Sequence, residues 1–172
     1  MKFEQLYQQY VKLVYNLALQ YCQNTQDAEE ITQDVFVKVH EKLSTFKNQA
    51  NVKTWIYRIA INTSLDFIKA KNSLKRGMYK TQNQTDEIPI AQQNFNHPGV
   101  ELEQKEALQK IFFAINQLPE NQKTVIILLK IEHNSVKEVA EILRLSPKAV
   151  ESLFQRAKTK LSFLLNQQNE NE

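Results

Sequence analysis

Glycine and proline are scarce in this 172-residue sequence, with two and four residues respectively. Glycine-rich phosphate-binding loops and turn-rich β architectures are therefore excluded as main features. The single cysteine, Cys22, excludes an internal disulfide framework and fits a reducing compartment. No run approaches the roughly 18 unbroken apolar residues of a membrane span, and the first residues lack the apolar stretch of a signal peptide. These absences predict a helical, cytoplasmic protein.

Clustered catalytic or metal-binding residues are also missing. The three histidines, His40, His97 and His133, are scattered, and the sequence has no HxxxH motif and no cysteine pair. A lone histidine in such a sequence is usually structural or solvated. We therefore expect no catalytic residue, no metal site, no cofactor and no enzymatic activity.

Positive charge is unevenly distributed, although the formal net charge is only +3. Residues 53–80 carry seven cations and one acid, whereas residues 81–106 carry one cation and five acids. The hydrophobic content of 42% is that of an ordinary folded protein. A basic block is thus followed by a polar, acidic stretch, which separates it from the mildly basic end of the chain.

Apolar residues at three- and four-residue spacing predict three helices in residues 1–76. The first covers about residues 3–22, and the second follows a cap at Asn24 or Thr25. The third covers about residues 52–71 and contains the segment KTWIYRIAIN. Trp55 and Ile59 fall on its apolar stripe and are predicted core residues, whereas Arg58 and Asn62 lie elsewhere on its circumference. Three helices with short loops predict a small bundle.

Residues 77–106 contain both glycines, two of the four prolines and no sustained period, so they are predicted to form a flexible linker. Periodicity then resumes in residues 107–172. Ser146 followed by Pro147 is a helix start signal, and a short helix over residues 135–143 precedes it closely. Such a pair is typical of a helix-turn-helix motif, although similar helical hairpins without DNA affinity exist. The fold class is therefore all-α, with two helical modules.

Three segments together resemble one protein family. AEEITQDVFVKVHEKLSTF, then KTWIYRIAINTSLDFIKAKNSLKR, and later LPENQKTVIILLKIEHNSVKEVAEILRLSPKAVESLFQRAKTKL are similar to the extracytoplasmic-function subgroup of bacterial sigma-70-type sigma factors. The resemblance covers both modules. It implies that residues 1–76 bind core RNA polymerase and melt the minus-10 promoter element, and that residues 107–172 recognise the minus-35 element as duplex.

The resemblance also assigns a polymerase-binding face to the second helix. The residues are spaced to lie on one exposed face, opposite Val35 and Val39. A solvated helix face is the alternative interpretation of the same pattern. The predicted contact residues are Glu30, Gln33, Asp34 and Lys38.

A second set resembles the minus-10 surface of the family. Melted bases are held by aromatic stacking, by a basic groove and by amides that bind their Watson–Crick edges. Ile61 stands where the family commonly has a basic residue, so we expect the local cationic surface to lose one charge. The predicted residues are Phe46, Asn48, Lys53, Arg58, Asn62, Asp66 and Lys69.

The last helix carries the set that resembles the minus-35 surface. Many family members have cations where this chain has Glu151 and Leu153, so those phosphate contacts are not carried over, and Lys148 is expected to compensate in part. The predicted residues are Ser146, Lys148, Ala149, Ser152, Gln155, Arg156 and Lys158.

The family resemblance implies three partners: core RNA polymerase, promoter DNA and an anti-sigma factor, which is often membrane-linked. Direct membrane insertion is not expected. The acidic linker, with Asp86 and Glu87, resembles a connector that threads towards the polymerase active-site cleft, and a solvated spacer is the alternative. The residues alone are also compatible with two other functions. One is a helix-turn-helix regulator that is not a polymerase subunit, and the other is an interaction protein that has lost promoter function.

Overall fold

The structure, a computed structural model, describes residues 2–46, 51–80 and 102–170. Side chains are described up to residue 74 in the second range and over residues 107–167 in the third. Within these ranges every regular element is a helix, as the sequence predicts. The chain divides into two compact units, Met1–Asn94 and Phe95–Glu172.

The first unit contains three helices, α1 (Phe3–Cys22), α2 (Thr25–Leu43) and α3 (Val52–Lys80). The predicted cap at Asn24 is confirmed, because its Oδ1 accepts a hydrogen bond from the N–H of Asp27 at 2.9 Å. The predicted first helix is confirmed as well. The third helix is longer than predicted, since α3 continues nine residues beyond the expected end at residue 71.

Each of the three helices packs against the other two. Their apolar stripes meet in one core, whose side chains with no more than 1% exposure include Val14, Leu17, Ala28, Ile31, Val35, Val39, Ile56, Tyr57 and Ala60. Burying a side chain of this size typically contributes about 1.5–3 kcal/mol. This core fixes which faces of α2 and α3 are left to solvent.

The second unit contains α4 (Leu102–Asn116), α5 (Glu120–Ile126), α6 (Val136–Leu143) and α7 (Pro147–Glu170). α7 packs against the other three helices. A cluster of Ile115, Leu118, Ile126 and Ala157 forms part of the core, with partly buried Phe112, Ile131, Phe154, Leu161 and Leu164 packed against it. The long last helix is therefore the centre of this unit.

A π-helical turn, Ile127–Ile131, continues α5 and is a feature that the sequence pattern does not predict. The N–H of Glu132 donates to the carbonyl of Ile127, five residues back, at 2.9 Å. The carbonyl of Leu128 accepts from both the backbone N–H and the side-chain Nδ2 of buried Asn134. This wide turn rotates the side chains that follow relative to a continuous α-helix.

The predicted linker over residues 77–106 overlaps helix at both of its ends. α3 continues to Lys80, and α4 begins at Leu102. The remaining residues of that prediction, 81–101, lie outside the described residues. They include Asp86 and Glu87, the acidic residues that resemble a connector.

Candidate functional site

The predicted polymerase-binding face lies on α2, where Glu30, Gln33 and Asp34 are exposed. Val35 and Val39, on the opposite side, are fully buried. The period of an α-helix, about 100° per residue, therefore places the three polar side chains together on the outer face. Val37 lies among them and is 56% exposed. Val37 is not among the residues predicted for this face from the sequence. It lies four residues after Gln33 and four before Glu41, and this spacing places it on the same side of α2.

Lys38 is the exception among the four predicted α2 residues. It is partly buried, and its Nζ donates a hydrogen bond to Oγ1 of Thr63 on α3 at 3.1 Å. Thr63 itself is only 3% exposed. Lys38 is thus a link between two helices, which corrects the prediction that it lies fully exposed with the other three. The side chain is long enough to cross the helix interface with its aliphatic part and keep its ammonium group bonded.

A narrow exposed stripe runs along α3. Asn62, Asp66 and Lys69 are exposed, and Arg58 one turn earlier is partly buried. Steps of three and four residues place all four within about 80° on the helix circumference. The structure therefore brings together four of the residues predicted to contact minus-10 DNA.

Trp55 belongs to this stripe, and its predicted place in the core is wrong. The residue is partly exposed, and its ring lies 4.6 Å from that of Phe46, centroid to centroid. Asn62 lies seven residues after Trp55, which is nearly two full turns, so both side chains are on the same side of α3. This could have been predicted from the sequence spacing alone. Ile59 is buried as predicted, with 8% exposure.

Lys53 is separated from the stripe. Nine residues before Asn62, it lies about half a turn away around α3, and its Nζ lies 5.7 Å from the ring centroid of Tyr57. Tyr57 is 1% exposed, so the ammonium group of Lys53 covers the edge of the core. Phe46 is partly buried against Trp55, and Asn48 lies outside the described residues.

Ile61 is buried, with 4% of its surface exposed. The position therefore faces the core in this chain, and the expected loss of one charge relative to the family stays a prediction. An apolar residue there contributes to packing and leaves the exposed stripe of α3 unchanged.

The helix-turn-helix prediction is supported by the geometry of α6 and α7. Ser135 and Glu138 form a capping box at the start of α6, with Glu138 Oε2 accepting from the N–H of Ser135 at 2.7 Å. Three residues then connect the helices, and Arg144 adopts the left-handed conformation with φ 56°. Ser146 caps α7 as predicted, since its Oγ accepts from the N–H of Ala149 at 3.1 Å.

The predicted minus-35 residues of α7 divide between two sides of the helix. Lys148, Ser152 and Gln155 share the outer face and are exposed. Arg156 donates from Nη2 to Oγ of Ser152 at 3.1 Å. Lys158, two residues further, points about 200° away from Arg156 around the helix. Ala149 is partly buried, and Ser146 is exposed and engaged as the cap.

The two positions where the family commonly has cations behave differently. Glu151 is exposed and lies seven residues before Lys158, so both occupy one side of α7. Leu153 is partly buried, and its apolar side chain therefore contributes to packing. Only Glu151 places an opposing charge on the outer surface.

Comparison with known proteins matches both units. A Sigma-70 region 2 model matches residues 6–73, and a Sigma-70 region 4 model matches residues 108–161. The chain belongs to the extracytoplasmic-function subgroup of the bacterial sigma-70-type RNA polymerase sigma factors.

The relatives span nearly the whole chain. RNA polymerase sigma factor YlaC of Bacillus subtilis is 24% identical over 169 residues, which cover 98% of this chain and 95% of the relative. The ECF RNA polymerase sigma-E factor of Haemophilus influenzae is 26% identical, covering 91% and 83%. The fold is similar to the sigma factor RpoE of Bartonella quintana, solved with the anti-sigma factor NepR, with a TM-score of 0.68, 22% identity and coverage of 95% and 96%.

Within the described residues, no helix is both long enough and apolar enough to cross a membrane.

Proposed function

We propose that this sigma factor joins core RNA polymerase through the exposed face of α2 and directs it to promoters with both of its units. The stripe of α3 contacts the melted minus-10 strand, and α7 enters the major groove of the minus-35 duplex. The observation that carries the proposal is the presence, in one chain and in order, of region 2 and region 4 matches, each with a polar surface of suitable chemistry.

The α2 face has the chemistry of a protein contact. Glu30, Gln33 and Asp34 surround the exposed apolar side chain of Val37. An apolar centre with a polar rim is the usual anatomy of a protein–protein interface. The carboxylates favour a partner surface with positive charge, because opposite potentials steer association and fix register.

The α3 stripe has the chemistry of a single-strand contact. Trp55 offers an aromatic face, Arg58 and Lys69 offer positive charge, and Asn62 offers an amide. Stacking on an aromatic side chain is typically worth about 1–3 kcal/mol per base. The carboxylate of Asp66, on the same stripe, accepts hydrogen bonds and donates none, so it favours base amino groups over phosphates.

This role requires no catalytic group in the chain, because core polymerase carries out RNA synthesis and the sigma factor acts by binding. We also propose that the protein works in the cytoplasm, where its DNA target lies. An anti-sigma factor is a further proposed partner, since the similar RpoE was solved with one. Such a regulator is expected to compete with core polymerase for the α2 face.

Reconstitution tests the proposal. Purified full-length protein is mixed with core RNA polymerase and a library of promoter fragments, and holoenzyme formation, selected sequences and initiation are measured. We expect a stable holoenzyme that selects a shared pair of elements at fixed spacing. DNA binding without holoenzyme formation or initiation would instead identify a helix-turn-helix regulator. Failure of both would identify a protein that keeps only the scaffold.

The anti-sigma proposal needs a separate measurement. A gene next to this one that encodes a membrane-spanning protein with a cytoplasmic helical domain is the first candidate. We expect the purified cytoplasmic domain to reduce holoenzyme formation in proportion to its concentration. Holoenzyme formation that stays constant at saturating inhibitor would remove that candidate.

A further inference from the structure

Two lysines from different elements meet at one aromatic ring in the second unit. Nζ of Lys130, on the π-helical turn, lies 5.2 Å from the ring centroid of Phe154 on α7. Nζ of Lys158, one turn further along α7, lies 5.6 Å from the same centroid. Both distances are within the range in which a ring face attracts a cation. Two positive charges are thus gathered around a single side chain.

Phe154 is well suited to hold these lysines because its own ring is anchored. It is partly buried and packs against the cluster of Ile115, Leu118, Ile126 and Ala157. Lys130 and Lys158 are both exposed. A flexible lysine loses much side-chain freedom when it is fixed on a ligand. Contact with an anchored ring restricts each side chain before any ligand binds, and so reduces that loss.

The π-helical turn explains how Lys130 reaches α7. The i to i−5 hydrogen bond from Glu132 to Ile127 widens the backbone at this point. Ile131, next to Lys130, packs against the core cluster. The turn therefore places Ile131 inside and Lys130 beside Phe154. Lys130 lies on the π-helical turn and therefore outside both helices of the helix-turn-helix, α6 and α7.

The position of the pair around α7 relates it to the recognition surface. Lys158 lies on the same side of the helix as Glu151, whereas Arg156 lies on the other side. Between them is the outer face with Lys148, Ser152 and Gln155. A helix in the major groove has one phosphate backbone along each side. Arg156 therefore faces one strand, and the two lysines face the other.

We propose that Phe154 is a positioning residue that holds Lys130 and Lys158 as a joint binding site for backbone phosphates of duplex DNA. The pair supplies the positive charge on the side of α7 where Glu151 supplies a negative one. This inference rests on the proposed function, because it takes α7 as the helix that enters the groove. Phe154 itself touches no base, and its effect passes through the two ammonium groups.

Salt dependence of promoter binding tests the lysines. Holoenzyme is assembled from core polymerase and the full-length chain, and its affinity for a promoter duplex is measured between 50 and 200 mM salt. Loss of one phosphate contact reduces the slope of log affinity against log salt by about 0.9. For Lys130→Gln and for Lys158→Gln we therefore expect a salt-induced loss of affinity about threefold smaller than for wild type.

Lys12→Gln is the matched control, since Lys12 is an exposed lysine of α1 in the other unit. It changes the net charge equally, and its slope should equal that of wild type. A Lys130→Gln slope equal to the Lys12→Gln slope overturns the inference.

The aromatic ring is tested with two substitutions that leave both lysines in place. Phe154→Leu should reduce the slope of log affinity against log salt although no charge is lost. Phe154→Tyr, which keeps an aromatic ring, should have the slope of wild type. A purely structural role of Phe154 predicts equal slopes once each variant is shown to be folded by its thermal melting. If Phe154→Leu fails to fold, the remaining variants provide the test. The proposal is then supported when Phe154→Tyr has the slope of wild type and Lys130→Gln has a lower one. A lower Phe154→Tyr slope then overturns it.

The outcomes separate this inference from the proposed function. A wild-type chain that forms no promoter-selective holoenzyme overturns both. A selective holoenzyme whose slope does not respond to Lys130→Gln overturns the phosphate site alone.

Discussion

Lys38 on α2 donates a hydrogen bond to Thr63 on α3 across 25 positions of sequence, with a distance of 3.1 Å. The bond joins the helix with the proposed polymerase face to the helix with the proposed minus-10 stripe. The two surfaces thus belong to one rigid packing arrangement. If the proposed faces are correct, a partner bound to α2 also orients the α3 stripe towards DNA.

A double-mutant cycle measures this link. A hydrogen bond from a charged donor to a buried hydroxyl typically stabilises by about 1 kcal/mol or more. Lys38→Met and Thr63→Val should each lower the free energy of unfolding of the first unit, with a coupling energy of about 1 kcal/mol between them. Chemical denaturation provides the values, and Lys42→Met, at an exposed position of α2, is the control. A coupling energy near zero would remove Lys38 from its bridging role.

Reversal of one charge tests the α2 face. Asp34 is exposed, so Asp34→Lys should leave the melting temperature unchanged and weaken core-polymerase binding by roughly tenfold or more, since juxtaposed like charges repel. Glu4→Lys is the matched control, because Glu4 is an exposed acid of α1 and is not part of the α2 face. Equal polymerase affinity for the two variants would contradict the assignment.

Val37 provides an apolar test of the same face. At 56% exposure it contributes little to the core, so Val37→Ser should change the free energy of unfolding by less than about 0.5 kcal/mol. Loss of its burial against a partner should weaken holoenzyme formation by about 1 kcal/mol, or roughly fivefold. Leu74→Ser, at a 72% exposed position of α3, controls for removal of surface apolar area. Titration with core polymerase gives the affinity of each variant. Identical affinities for Val37→Ser and Leu74→Ser would place Val37 outside the interface.

Trp55 tests the stripe on α3. Because the ring is partly exposed and lies in line with Asn62, Trp55→Ala should reduce open-complex formation by holoenzyme about tenfold, within the range of one lost base stack. Trp55→Phe keeps an aromatic face and should retain most of the activity. Reactivity of unpaired promoter thymines reports melting directly. Normal melting with Trp55→Ala would assign the residue to packing against Phe46 alone.

Ionisation of the Cys22 thiol should lower the stability of the first unit at alkaline pH. Burial raises the pKa of the Cys22 thiol above its ordinary value, and the negative charge of Asp27 contributes to the rise, whereas hydrogen bonding to the backbone of Asn24 lowers it in part. A raised thiol pKa means that the unfolded chain ionises first. The contribution of Cys22 to stability is complete below the ordinary thiol pKa of about 8.5 and is lost as the pH rises through the folded value.

Thermal melting between pH 7 and pH 11 checks this prediction. The wild type should lose more stability than Cys22→Ala over the alkaline part of that range, because alanine has no thiol to ionise. A thiol reagent should also react slowly with the folded protein at neutral pH. Parallel pH profiles for the two proteins would show that Cys22 does not contribute to the alkaline loss.

Helix starts could be predicted from sequence because their signals are local. Asn24 and Ser146 each provide a side-chain oxygen to an N–H three residues later, a contact that depends only on neighbouring residues. The outer face of α2 could be predicted for the same reason, since the helical period alone places Glu30 and Asp34 together. The π-helical turn could not, because its pattern of leucine and isoleucine fits a regular helix equally well.

The sequence by itself determined an all-helical protein of two modules, the caps that begin α2 and α7, and the polar faces of α2, α3 and α7. Tertiary packing decided the rest. Only the fold joins Lys38 to Thr63, buries Ile61 and brings Lys130 to the ring of Phe154. These relationships join separate helices, and helical period determines only which residues of one helix share a face. Which face is buried, and what lies opposite it, depends on the packing of the whole unit.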